Sequence, residues 1–408
     1  MTPLRIHHRR AAAFGFSAAL VSSIGQTFFI GLFGLSVRND LALDDSHWGA
    51  LYALATLGSG LLMFSLGELA DRLPMKQAIT VALSVLGLGA ILMAVANGPV
   101  LLLIGLFCLR LGGQGLTGHM AIVTAARHAR RRGRSLATAA FGFIAGEALL
   151  PVAVIAMLGW LDWRWVWVCA AMLVLGVALP ALRAAAAPLP RAVAMVGLQD
   201  GAPPPRLRRR HLVRKPAFLA ALTVVLVSPF VVTAVFLHQG TLSTLHGWTP
   251  AQVAWGFIGF AAAQTASTWL SGHWVDRHGV TRVFRVYLLP VAAATLALGF
   301  GPPSLALWGL FVGLGATAGA NSVVSGALWA EVFGVDSLGM VRGMYTGFMV
   351  IATALSPLVF GLALETAAPI AHVAAGVAAY VIVVPWLAAR WLGANAGHRP
   401  PASGPPDS

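Results

Sequence analysis

The chain has 408 residues, of which 58% are hydrophobic and only 10% charged, and its mean hydropathy is +0.81. Those values exclude an ordinary soluble domain and identify a membrane protein. The formal net charge of +14 invites a nucleic-acid reading, which the placement of the basic residues decides.

Apolar runs of about 20 residues, each able to cross ~30 Å of hydrocarbon at ~1.5 Å per residue, follow one another along the chain. They lie at 11–35, 48–67, 77–96, 99–126, 135–159, 163–183, 217–243, 250–272, 283–300, 303–330, 342–365 and 369–392. Lipid offers the backbone no hydrogen-bond partner, so runs of this length are predicted to be helices, and the ~10-residue alternation of an outer-membrane barrel is absent. The predicted fold class is an all-α membrane protein with twelve transmembrane helices. The first run follows Arg5, Arg9 and Arg10 but, at roughly two dozen residues, exceeds the ~7–15 of a signal peptide, so it is read as an uncleaved first helix.

Gln26 lies in the first run, and Asp40, Asp44 and Asp45 fall in the external loop after it. The second run ends in GELADR, with Gly67, Asp71 and Arg72. The fourth contains Arg110, with Gln114 one turn further on, and His119; the fifth contains Glu147. Arg110 and Glu147 both fall near mid-membrane, where a charge costs a few kcal/mol and should face a partner or a wet cavity. Residues 184–216 form a basic, proline-containing linker, with the first half at 1–183 and the second at 217–392. In the second half, His238 and Gln239 lie in the seventh run, Gln264 in the eighth and Asn321 in the tenth. GHWVDR repeats the earlier pattern with Gly272, Asp276 and Arg277, and Arg342 opens the eleventh run. Glu331 and Glu365 reach the span ends, Cys108 and Cys169 carry no chemistry, and residues 393–408 read as a disordered tail.

With the N-terminus inside, all of the 27 basic residues except Arg38, Arg110 and Arg164 fall on the inner side. This is the positive-inside rule; it predicts cytoplasmic N- and C-termini and leaves no role for nucleic acid. The two GxxxDR copies occupy the same position in each six-helix half, which makes the halves pseudo-symmetric repeats, an architecture whose binding site lies between them at mid-membrane.

Over its whole length the chain resembles the major facilitator superfamily. The resemblance rests on GELADR and GHWVDR, Arg110 followed by GGQG at 112–115, RRRGRS at 130–135 and VRGM at 341–344. Several of these features look similar to bacterial members of the monocarboxylate-transporter-like branch. After Asp71 and Arg72 the chain runs Leu73-Pro74-Met75-Lys76 and keeps one base of the usual pair, and Gln114 follows Arg110 by four residues instead of three. The resemblance implies that Asp71 latches the loop against the start of the eleventh helix, near Arg342 and Gly343. By pseudo-symmetry Asp276 is expected to face Arg134 and Ser135.

For Arg110 and Glu147 two readings are open: an anion-binding arginine with a proton-carrying carboxylate, or a structural salt bridge. Gln26, Gln114, His238, Gln239, Gln264 and Asn321 are cavity-lining candidates, or bond helix to helix. The expected function is secondary active transport of a small organic solute, first an organic anion, across the inner membrane by alternating access with proton coupling. The alternatives are a proton-antiport exporter of hydrophobic or cationic compounds and a transport-dead sensor on the same fold. The fifth run, GFIAGEALLP, lacks the GP pair of the antiporter pattern. No catalytic constellation, metal cluster, cofactor motif or GxxxxGK[ST] loop is visible, so neither an enzyme nor a primary pump is expected. The expected partners are a small-molecule substrate, protons and the bilayer, with the chain acting as a monomer.

If the latch operates, Asp71→Asn changes transport rate or the distribution of access states at unchanged expression. Unaltered uptake together with unaltered cysteine accessibility would refute it.

Overall fold

A computed structural model describes residues 3–66, 73–127, 132–187, 209–334, 338–366 and 369–396. Among these, every regular element is helical and no strand occurs. Ten helical stretches are long and apolar enough to cross a membrane. The helices at Asp45–Leu66 and Pro250–His278 correspond to the second and eighth predicted spans but lie outside that set. The second of these carries Gln264, Thr265, Ser267 and Thr268 within its apolar run.

Several predicted spans are interrupted. The first is divided into α1 (Pro3–Ser22), α2 (Thr27–Gly31) and α3 (Gly34–Leu41), with a single 3-10 turn at Ser23–Gly25 and Gln26 extended at φ −92°, ψ 159°. After α4 (Asp45–Leu66) and α5 (Met75–Ala94), the fourth span comprises α6 (Pro99–Leu109), a π-helical stretch over Arg110–Thr117, and α7 (Gly118–Arg127). Then come α8 (Arg132–Leu158), α9 (Trp163–Met172), a second π stretch at Leu173–Ala178, and α10 (Leu179–Ala186). Short α11 (Arg209–Leu212) precedes a seventh span cut into α12 (Pro216–Val225), α13 (Val227–Leu237) and α14 (Gln239–His246). The rest are α15 (Pro250–His278), α16 (Val280–Phe284), α17 (Leu289–Phe300), α18 (Pro303–Phe333), α19 (Leu338–Glu365) and α20 (Ile370–Ala396).

The interruptions follow from local chemistry. Pro180 has no N–H to give the carbonyl of Gly176, and its ring crowds that carbonyl, so the ladder widens into the π stretch before it. Pro151, inside α8, likewise removes the donor to the carbonyl of Glu147. In the Arg110–Thr117 stretch, Gly112, Gly113 and Gly115 supply no side-chain packing to hold a regular ladder, and the Thr117 hydroxyl donates to the Gly112 carbonyl at 2.6 Å. Pro74 stands directly before α5, as its N-cap.

By packing, the described residues fall into two compact units that cut across the predicted halves. The first unit joins 1–201 with 230–261 and 350–369; the second joins 202–229, 262–349 and 370–408. Helices in hydrocarbon gain nothing from the hydrophobic effect against one another, so close approach of small residues holds them together. In the first unit the decisive approach is at Gly25. A Cβ there would lie 2.2 Å from the Leu109 carbonyl oxygen and 2.7 Å from Gly113 Cα, so only glycine lets the broken first span rest on the π stretch. In the second unit α18 packs on α15 in the same way, a Cβ on Gly319 falling 2.2 Å from the Gln264 carbonyl oxygen.

The second GxxxDR copy departs from expectation. It lies within the last turns of α15, not in a loop, and the chain turns only at Gly279, whose φ of 79° favours glycine. The first copy, with Gly67, Asp71 and Arg72, lies outside the described residues, as do 188–208 of the linker and 397–408 of the tail. The last helix runs to Ala396, beyond the predicted end of the twelfth span.

Gly25→Ala is expected to lower unfolding stability in micelles by about 1–3 kcal/mol through overpacking. Gly376→Ala, where nothing lies within 4 Å of the new Cβ, should leave it nearly unchanged. Equal effects of the two would refute the Gly25 contact.

Candidate functional site

Arg110 opens the π stretch and is buried. Its Nη1 donates to the Gly25 carbonyl at 3.3 Å, and its guanidinium carbon lies 5.1 Å from the centre of the Tyr52 ring. The carbonyl is presented where the first span breaks, so an irregular backbone and a fixed cation meet at one place. Nε of Arg110 is buried without a hydrogen-bond partner. Tyr52 continues the site through a short hydrogen bond between its hydroxyl and Thr27 Oγ1, directly after Gln26. Neither Tyr52 nor Thr27 was singled out by the sequence, since each looks like an ordinary span residue until the break places it.

Glu147 lies on α8, which meets the same break from another side. A Cβ on its neighbour Gly146 would fall 2.3 Å from Ser23 Oγ, so α8 is packed directly on the 3-10 turn. Glu147 is half-buried, and its Oε2 is shielded from solvent without a hydrogen-bond partner. Among the described residues no ion pair joins Arg110 and Glu147; the pairs run between other groups. Both charges therefore adjoin the broken span while neither neutralises the other. Gln26 is half-buried at the break itself, and Gln114, in the π stretch, is exposed. His119 is half-buried and interacts with its surroundings.

A second polar cluster lies at one end of this unit. Asp45, the first residue of α4, pairs with Arg38 at 2.8 Å, and both side chains are buried, at 13% and 10% exposure. Its Oδ1 also accepts from Thr241 Oγ1 at 2.7 Å and lies 2.8 Å from His238 Nδ1; Arg38 Nη2 donates to Thr241 Oγ1 at 2.6 Å. His238 Nε2 faces the Pro357 carbonyl at 2.9 Å, so both ring nitrogens face oxygen atoms. Gln239 Nε2 donates to the Phe28 carbonyl at 3.1 Å, and Ser46 N–H donates to Glu365 at 2.7 Å. Burial, the largest influence on Asp45, pushes its carboxyl up, but the hydrogen bonds of His238 and Thr241 and the charge of Arg38 outweigh it and hold it below its ordinary value. His238 thus belongs to this cluster, while Gln239 bonds the Phe28 carbonyl, next to Thr27 at the break in the first span. The expectation that Asp45 and Arg38 are simply external-loop charges is corrected: they bind parts of the chain nearly 200 residues apart. Asp40 keeps its surface place and pairs with Arg164.

In the second unit, the Tyr287 hydroxyl donates to Asn321 Oδ1 at 3.0 Å and contacts the Val224 carbonyl at 3.3 Å. Gln264 Oε1 is buried without a partner. Asp276 and Arg277 are exposed, nothing would meet a Cβ on Gly272, and Arg342 is exposed. Of the residues expected to face Asp276, Ser135 is buried with an unpartnered hydroxyl, and the Arg134 side chain lies outside the described residues. Among the described residues no group of His, Cys, Asp and Glu could hold a metal ion.

The sequence pattern of the Major Facilitator Superfamily matches residues 15–242 and 230–407, which is nearly the whole chain. The chain belongs to this superfamily. A stretch of 105 residues, 26% of the chain, is 33% identical to synaptic vesicle glycoprotein 2A of Homo sapiens and of Rattus norvegicus, and it spans only 14% of those relatives' length. Among solved structures, a bacterial homologue of the human lysosomal transporter Spinster, inward-facing and unoccupied, aligns at a TM-score of 0.68 and 16% identity, covering 97% of this chain and 96% of that one. A variant of the nucleoside transporter NupG aligns at 0.70 and 15% identity, covering 94% and 99%. At such identities the likeness establishes the fold, which is that of membrane transporters.

Asp45→Asn leaves Arg38 without its buried counter-charge, and a loss of about 3–5 kcal/mol is expected in denaturant unfolding. Because the folded-state pKa of Asp45 is depressed, its contribution is fully present above about pH 3.9 and is lost as pH falls through the lower folded-state value. That acid-dependent loss should be reduced in the variant; an unchanged acid transition would refute the role of Asp45.

Proposed function

We propose that the chain is a secondary active transporter that carries a small organic solute, first an organic anion, by alternating access with proton coupling. The observation that carries this reading is Arg110: a buried guanidinium within a span that donates to a backbone carbonyl at a helix break and, among the described residues, forms no ion pair. A fixed cation left unneutralised in a low-dielectric setting suits the carboxylate or phosphate of a solute, which a guanidinium can engage through two parallel hydrogen bonds. Glu147, with one unpartnered buried oxygen near the same break, is the proposed proton carrier. The Arg38, Asp45, His238 and Thr241 cluster is proposed as the outer gate, and Asp71 with Arg342 as the inner latch. The inferred topology is twelve spans in two six-helix halves, acting as a monomer in the inner membrane with both termini cytoplasmic; the one-sided placement of basic residues supports it.

A second reading draws on Glu147 as well. A membrane carboxylate without a counter-ion also serves a proton-antiport exporter of cationic compounds, and in that case Arg110 has no contact with the solute. A sensor on the same fold would bind without moving its ligand.

A thermal-shift screen of organic acids and organic cations on the purified chain, followed by proteoliposome flux with and without a pH gradient, separates these readings. Organic acids are expected to stabilise the protein. Arg110→Gln should weaken apparent affinity by about 10- to 100-fold, the loss of a charge-assisted bond of ~1.5–3 kcal/mol. Glu147→Gln should retain exchange of solute but lose accumulation driven by the pH gradient. Unchanged affinity in the first variant, or unchanged gradient-driven accumulation in the second, would remove that residue from its role.

A further inference from the structure

The first unit contains a large apolar groove that ends at Ile24, in the 3-10 turn of the first span. It has a volume of about 1040 Å³, and it is walled by α1, by α8 near Leu149 and by the sixth span from Leu173 through Ala181. Along α1 it runs from Arg10 to Ile24, which at ~1.5 Å per residue is about 21 Å. Its width has a cause in the chain. Pro180 disrupts the ladder of the sixth span, the π stretch at Leu173–Ala178 displaces the following turn, and small side chains such as Ala181 and Ser17 leave space that larger ones would close.

The two ends of this groove differ chemically. From Ser17 to Ile24 its lining is almost wholly apolar, while at the other end stands Arg10, exposed and without an ion pair among the described residues. Arg10 belongs to the basic side of the chain, and Arg183 on α10 is exposed on the same side under the topology inferred above. The length, about that of one fatty acyl chain reaching from the headgroup region to mid-membrane, and the cation at the mouth fit an amphiphile with an anionic head.

We propose that this groove binds one acyl chain of an anionic phospholipid, whose phosphate is held at Arg10. Neither Arg110 nor Glu147 lines this groove, and the assignment does not depend on which solute is carried; it rests on the inferred topology only for the leaflet that supplies the lipid. A guanidinium at the mouth distinguishes an anionic head from a zwitterionic one by charge, and the groove supplies the retention.

The test is native mass spectrometry of the purified full chain after incubation with phosphatidylglycerol or phosphatidylcholine of identical acyl chains. The wild type should retain phosphatidylglycerol several-fold better than phosphatidylcholine. Arg10→Gln, an exposed change that leaves the packing intact, should retain both lipids equally, and Ala181→Phe should retain little of either. Excess inorganic phosphate should leave phosphatidylglycerol bound. An undiminished preference for phosphatidylglycerol in Arg10→Gln overturns the headgroup assignment, and displacement by phosphate alone makes this a free-anion site. If Ala181→Phe fails to fold, Ser17→Leu fills the groove from α1, and full lipid retention in a folded groove-filled variant overturns the proposal. Loss of transport in Arg110→Gln with lipid retention unchanged separates this outcome from the proposed function.

Discussion

In hydrocarbon, a backbone carbonyl that loses its intrahelical donor has no solvent to turn to, so each break in a helix must find its partner inside the protein. The Gly25 carbonyl at the break in the first span is met by Arg110, and the Gly112 carbonyl in the π stretch by the Thr117 hydroxyl. Arg110, Gln114 and Gln26 stand where the helical ladder is irregular. Charge and irregular backbone are two halves of one arrangement, because each makes the other tolerable in lipid.

The candidate site is confined to the first unit by packing more than by charge. Gly25 and Gly113 bring the first and fourth spans to backbone contact, and Gly146 brings α8 onto the 3-10 turn. Around that junction stand Arg110, Tyr52, Thr27 and Glu147, drawn from four different spans. At the end of the unit, Asp45 joins residues from both sequence halves through one carboxylate, with Arg38 on α3 as its counter-charge and His238, beside α14, within hydrogen-bond distance.

Much of this architecture was legible in the sequence, because long apolar runs admit only helices in lipid and basic residues mark one side. Arg110 and Glu147 were visible for the same reason, as charges within apolar runs. Their relation was not, since the sequence says nothing about a helix break that holds Arg110 to a carbonyl and leaves Glu147 apart. The break does have a local signal in Ser22-Ser23-Ile24-Gly25-Gln26, as the π stretches have in the Gly112 to Gly115 run and in Pro180. Asp45 was misplaced because a short acidic loop looks solvated until its partners, 193 and 196 residues away, are known. The second GxxxDR copy was assigned to a loop because its charges suggested one, whereas the chain stays helical up to Gly279.

The contact between Gly25 and Gly113 has a mechanical meaning. Two helices that touch through side chains can shift against one another as rotamers readjust, but two that touch backbone to backbone have no soft layer between them. Any displacement of the π stretch on which Arg110 sits is passed to the broken first span with almost no damping. Gln26, although extended, continues the coupling: its N–H donates to the Ser23 carbonyl at 3.1 Å and its carbonyl accepts from the Ile30 N–H at 3.1 Å, so the 3-10 turn and α2 are tied together across the break. The junction behaves as a stiff bearing.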